Sequence, residues 1–494
     1  MKKYLSMICF LGALFTAGCS DDKTGEEEGP TGEAKITAFS FKAENNLDYL
    51  VKDYTGSISG TAISVKVPAD TDLSALVATF ETADGESTVT VNGTVQISGT
   101  TANDFSDPVD YLVTIGKKNA LYTVTVSELP EAVWTKVGEW EQDASAIRLE
   151  IDPTDNLPCL AVTNENAVTF AKLNGNTITS ETVVDRKGQY PGLGIDNSGQ
   201  PYIFFYESET LSGTVASKTG GVWTEVCNSI ERSANQAGPT IATIDGKIFV
   251  FTVNDNRNPN TRRRLIDVAT YDGSAWTTTS DIPGRNIARG YWPIARTKNG
   301  TMYLFVLNPV SPNSFSIYTY KDGTWSTLVE EYTYPSSEPG TEPATYHSFS
   351  LYCPDMQIDD EGNIYLGICY EYSPQVLKID AKTKEINRIG SAIPTPGSTA
   401  GRTCRIAISP LGKLYMAYRN SEDAKLLQVV SLDEKTKDWT TPVQISSEPV
   451  FDEFECKFTK DGTAYLAYYV QEEKTDDVVT SPAKICLYKL ATAE

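Results

Sequence analysis

Four groups of residues able to do chemistry stand just ahead of short apolar runs in the second half of the chain. "ARGYW" carries Arg289, Tyr291 and Trp292, and "TYHSF" carries Tyr346 and the one histidine, His347. "GRTCR" carries Arg402 and Arg405, and "FDEFE" carries Asp452, Glu453 and Glu455. Aromatic rings stack on the apolar faces of sugars, while guanidinium and carboxylate groups hydrogen-bond hydroxyls or a sugar carboxylate. Glycoside hydrolysis instead asks for two carboxylates flanking one bond. Only the last group offers several acids, and along a strand adjacent residues point to opposite faces. A lyase asks for a base beside a cation, which Tyr346 and His347 could supply, and a single histidine excludes a multi-histidine metal site. No Gly-rich phosphate loop, nucleophile elbow or metal motif is present. The expected ligand contacts are therefore Arg289, Tyr291, Trp292, Tyr346, His347, Arg402, Arg405 and Glu453. No catalytic residue, metal or cofactor is expected, and catalysis is the minority reading.

These groups recur because the chain repeats. Aligned on a turn glycine, it offers "IDNSGQPYIFFY", "TIDGKIFVFT", "RTKNGTMYLFVL", "IDDEGNIYLGICY", "ISPLGKLYMAY" and "FTKDGTAYLAYY". An aromatic follows each glycine by three residues: Tyr202, Phe249, Tyr303, Tyr365, Tyr415 and Tyr465. "IDPTDNLPCLAV" is a degenerate seventh copy, with Asn156 in the glycine place and Cys159 in the aromatic one. The spacing is that of four-stranded propeller blades. A second hairpin follows each first one, and Trp223, Trp276, Trp325 and Trp439 share its outer strand, where packing is the expected role. "AVWTKV" precedes the first repeat and supplies an outer strand, Val133 to Trp140, which the C-terminal "KICLYKL" lacks. Pairing these two ends would close a ring of seven blades and hide both sheet edges; six blades is the alternative. The turns inside each hairpin are short, whereas the other connections are long and varied. The long-connection face is the candidate site, because a rigid scaffold positions its loops.

Ahead of this propeller, expected over 132–494, residues 35–128 alternate with period two in short runs such as "ISVKVP", "YLVTIG" and "LYTVTV". That pattern predicts an antiparallel β-sandwich of about seven strands. The fold class expected is all-β, an Ig-like sandwich followed by a propeller. A formal charge of −23 argues against nucleic acid, and the basic run Arg262 to Arg264 reads as a solvated turn.

Lys2 and Lys3, an apolar stretch, and Ala17 and Gly18 before Cys19 have the layout of a signal peptide over residues 1–18. "FTAGCSDD" resembles a bacterial lipoprotein signal, which implies lipidation of Cys19, with Thr16 standing where that motif usually has leucine. Ser20, Asp21 and Asp22 resemble the export signal of surface lipoproteins of Bacteroidota. Residues 19–34 form an acidic tether. Seven cysteines then remain in the mature chain, widely spaced and without a CxxC pair, which argues against a disulfide framework or a zinc site.

"VPADTDLSAL", "DFSDPVDYLVT" and "YTVTVSE" resemble a small Ig-like domain found behind the lipid anchor in many Bacteroidota surface proteins, which implies a spacer. "YDGSAW" and "YKDGTW" resemble degraded turns of the sialidase-like Asp-box propellers. The combined expectation is an outer-membrane lipoprotein facing the cell exterior and touching the membrane through its lipid alone. Its propeller would bind an extracellular ligand, a glycan before others. A carbohydrate-active hydrolase or lyase using the same face, or a protein-interaction or adhesion platform, is the alternative.

Overall fold

The structure, a computed structural model, describes residues 32–207, 212–230, 240–254, 265–279, 291–308, 314–333, 354–370, 373–394, 403–421, 424–433, 435–475 and 478–491. It is all-β: among these residues one 3-10 turn at Ala43–Asn45 is the sole helical element. No described helix is long and apolar enough to cross a membrane.

Residues 36–128 make two sheets. One joins Tyr54–Thr55, Ile36–Phe41, Leu76–Thr82 and Ala102–Asn103, in that order. The other joins Ser57–Ser59, Ala62–Val67, Lys118–Glu128, Val109–Ile115, Thr88–Val91 and Thr94–Val95. Ala62–Val67 and Lys118–Glu128 run parallel, and the remaining pairs are antiparallel. Alternation does the sorting: in Ala62–Val67 every second residue is buried, so Ile63, Val65 and Val67 face the opposite sheet. They meet Phe39, Phe41, Phe105 and Tyr111 in one core, where Phe41 and Phe105 sit edge to face at 4.9 Å.

Besides a two-stranded ribbon, Glu473–Thr475 with Val478–Ser481, the described strands from Val133 onward form seven further sheets in chain order. Six are antiparallel meanders. Their first strands are Ala146–Ile151, Gly188–Ile195, Thr240–Ile244, Tyr291–Lys298, Asp355–Ile358 and Cys404–Ile408. The last sheet begins with Phe454–Phe458 and continues through Ala464–Val470 to Lys484–Ala491. That strand takes Val133–Glu141 as its outer partner, with Val133 opposite Ala491 and Trp140 opposite Ile485. Each first strand touches the first strand of the next sheet, and Phe454–Phe458 touches Ala146–Ile151, so the seven run around one axis. This is a β-propeller arrangement.

The repeated turn is built by one side chain and one backbone geometry. Asp196 Oδ1 accepts from the Ser198 and Gln200 amides at 2.9 Å, Asp359 Oδ1 from Asn363 at 2.8 Å, and Ser409 Oγ from Lys413 at 3.0 Å. The turn glycine has positive φ in all six copies, from +68° at Gly300 to +85° at Gly362, and Asn156 takes that place at +58° in the first sheet. The outer-strand tryptophans pack as expected. Trp223 lies on Phe170 of the preceding sheet, Trp325 on Phe251, and Trp439 donates Nε1–H to Ser391 O at 2.9 Å. Cys159, Cys369, Cys404, Cys456 and Cys486 are buried thiols, and burial pushes Cys159 and Cys456 up to about 12.

The sandwich meets the propeller on its short-turn side. Asp70 accepts from Lys413 Nζ at 2.7 Å, and Val51 lies over Gly462 so closely that an added Cβ would fall 2.8 Å from it. The long-connection face points the other way.

Candidate functional site

The hairpin turns fix which residues face the axis. Counting back from each turn by alternation, the upper positions are Arg148, Gly192, Thr240, Ile294, Asp355, Arg405 and Glu455. Two residues nearer the turns lie Glu150, Gly194, Ala242, Arg296, Gln357, Ala407 and Lys457. The second and third sheets thus contribute small side chains, and each of the others contributes at least one charged residue. Together they enclose a cavity of about 100 Å³, lined by charged side chains from five inner strands and by Gly192, Trp292 and Pro293.

The charges in this channel are paired with one another. Arg148 Nη1 lies 3.1 Å from Glu453 Oε2 and 3.7 Å from Glu455 Oε1, and Arg405 Nε lies 3.4 Å from Glu455 Oε1. Arg296 Nη2 lies 3.1 Å from Asp355 Oδ1, whose other oxygen accepts from the Ile406 amide at 3.0 Å. Lys457 Nζ lies 3.2 Å from Glu150. Buried charges persist only when paired and hydrogen-bonded, so this network holds the inner strands in register. Burial pushes the Glu453 carboxyl up, and the nearby Arg148 and Arg405 oppose that shift without cancelling it. The polar and charged walls of the cavity suit water.

The residues named from sequence are distributed unevenly against this geometry. Trp292 lines the cavity at its upper edge, half-buried, with φ +46° and a bulge between Tyr291 and Ile294. Tyr291 begins the same strand. Arg405 is buried, bonded to Glu455 and to Cys404 O, and Glu453 accepts from both Arg148 and the Ile147 amide. Both turn their polar atoms inward to the network. Arg289, Tyr346, His347, Arg402 and Cys19 lie outside the described residues, as does the run Arg262 to Arg264.

Sequence reasoning missed Arg148, Glu150, Arg296, Asp355 and Lys457. The signal was available: each sits two or four residues ahead of the turn that every repeat shares. It also missed that "QYP" and "YWP" are equivalent. Tyr190 has φ +52° and a bulge before Gly192, matching Trp292, and both precede proline. Among the described residues no group of three or more histidine, cysteine or acidic side chains could hold a metal ion.

Residues 36–126 match the family model described as SGBP, N-terminal. No curated protein matches the chain. Among solved structures, a DUF4623 family protein from Bacteroides eggerthii is similar at 10% identity, over 93% of this chain and 99% of that one, with a TM-score of 0.35. A lectin of Aleuria aurantia in complex with Fucα1-6GlcNAc aligns at 14% identity over 57% of this chain and 88% of its own, with a TM-score of 0.39. An α-L-arabinofuranosidase of Fusarium graminearum aligns at 10% identity over 61% and 92%, also at 0.39.

Proposed function

We propose that this chain is a surface lipoprotein that captures an extracellular glycan on the long-connection face of a seven-bladed propeller, held away from the membrane by an Ig-like sandwich. The match of residues 36–126 to the N-terminal family of glycan-binding proteins carries this reading. The architecture supports it, because the sandwich contacts the propeller on its short-turn side, away from the long-connection face. In this reading residues 1–18 are the signal, Cys19 bears the lipid, 19–34 is the tether, and the two folded units are 35–128 and 132–494.

The charges inside the channel are paired with one another, so in this reading the ligand sits over its mouth. Trp292 offers a ring there, and Tyr291, Arg289, Tyr346, His347 and Arg402 are proposed as further ligand contacts. Arg405 and Glu453 brace the mouth from beneath. Capture is favoured over cleavage because Glu453, Glu455, Asp355 and Glu150 each lie against a cation that holds them in place.

The test is a glycan array followed by calorimetric titration of the full-length chain in detergent, with products analysed by mass spectrometry after long incubation. Binding without product, weakened about ten-fold by Trp292→Ala, is the expected result; ten-fold corresponds to about 1.4 kcal/mol, the upper range for one aromatic contact. Cleaved product would make the protein an enzyme, and the absence of glycan binding would remove the reading.

A further inference from the structure

Phe451 is the one aromatic among the described residues that is exposed, at 44% of its surface. It stands just ahead of Phe454–Phe458, the inner strand of the last sheet, and therefore on the long-connection side. Its backbone is fixed there: the Phe451 amide donates to Tyr469 O at 3.1 Å, and the Tyr469 amide donates to Glu453 O at 3.1 Å. The Tyr469 ring meets Phe451 nearly at a right angle, 82° at 6.2 Å between centroids. The Tyr469 hydroxyl in turn donates to Asp143 Oδ1 at 2.6 Å, across to the segment that enters the first sheet. An exposed ring is thus buttressed from one side, with an exposed carboxylate anchored beside the buttress.

From this we infer that Phe451, Tyr469 and Asp143 form a second sugar subsite on the rim between the last and first sheets, selective for uncharged pyranose rings. The inference rests on the glycan-capture reading and deepens it. An aromatic face takes the apolar C–H face of a pyranose, and a carboxylate at its edge accepts from sugar hydroxyls. Charge sets the selectivity. Asp452 beside Phe451 is paired with Arg419, and Glu453 with Arg148, whereas Asp143 has no described cation within ion-pair distance. A sugar carboxylate or sulfate would meet that uncompensated charge, and a neutral hexose would not. A protein partner is disfavoured because one ring among carboxylates falls short of the apolar anchor cluster on which stable protein interfaces depend.

The test uses the full-length chain in detergent, titrated with neutral and with uronic-acid-containing oligosaccharides. Phe451→Ala is expected to weaken binding of a neutral oligosaccharide about ten-fold, and Phe451→Trp to restore it. Asp143→Asn should narrow the preference for neutral over acidic ligands. The Phe451→Ala and Trp292→Ala losses should multiply in the double variant, because separate sites contribute independently. Wild-type binding that Phe451→Ala leaves unchanged, with an unaltered melting curve, would overturn the subsite and leave the capture function standing. Preference for acidic oligosaccharides would overturn the selectivity, and a wild-type chain that binds no glycan would overturn the subsite together with the reading on which it rests.

Discussion

Glu455 shows what the acids of the inner strands do. It lies between two guanidinium groups, Arg148 and Arg405, and its side chain is 9% exposed. Removing one partner from a buried pair leaves an uncompensated charge, at a cost of about 3–5 kcal/mol. Glu455→Ala is therefore expected to lower stability by about 3 kcal/mol in urea denaturation, and Glu455→Gln by less, since the amide oxygen still accepts. A loss under about 1 kcal/mol for the alanine variant would mean that the channel pairs are not structural. The same reasoning explains why the acid group "FDEFE" reads poorly as a catalytic dyad. Its members face different ways, and the two that reach Arg148 are neutralised where they stand. Phe451, at the head of that stretch, keeps an aromatic face toward solvent.

At the scale of the hairpin, the outer turns of three sheets are held by aspartates that accept backbone amides. Asp272 Oδ1 accepts from the Ser274 and Ala275 amides at 2.9 and 3.0 Å and from the Ser274 hydroxyl at 2.7 Å. Those donors, the Ala275 amide first, hold its carboxyl down to about 2, and Asp380 and Asp433 are lowered by the same kind of turn. In the unfolded chain an aspartate titrates near 3.9. A depressed carboxyl contributes stability that is present above about pH 4 and lost as the pH falls toward 2. Melting temperature measured between pH 2 and 5 should therefore decline less steeply in Asp272→Asn than in the wild type. An identical slope would show that this turn carries no pH-linked stability. Ring closure belongs to this scale as well, since the strand Val133–Glu141 covers an edge that Lys484–Ala491 would otherwise expose.

At the scale of the whole molecule, the junction of sandwich and propeller combines one exposed ion pair with one close contact. Asp70 is 80% exposed and Lys413 36%, and pairs of that kind contribute about 0–1 kcal/mol. Gly462 is different: its φ of +84° and its contact with Val51 leave no space for a side chain. Lys413→Ala should leave both the melting temperature and the small-angle scattering profile unchanged within error, whereas Gly462→Leu should displace the sandwich and raise the radius of gyration. Unchanged scattering for Gly462→Leu would show that this contact does not set the arrangement. The contact also keeps the sandwich on the side of the propeller away from Trp292 and Phe451.

The all-β class, the hairpin repeat, the packing role of the outer tryptophans and the pairing of the first and last propeller strands were all legible in the sequence. Each rests on local periodicity, turn chemistry or an unpaired edge, and these act within a few residues or count to a closed total. The site was legible only in part. The sequence marks the strand starts that approach the axis, and so it points to Trp292. It does not show that Arg405 and Glu453 are held by Arg148 and Glu455, because those partners come from other sheets and meet only when the ring closes. Nor does it distinguish Phe451 from the buried aromatics around it. Which ring remains exposed depends on what packs over it, and that is decided by tertiary structure.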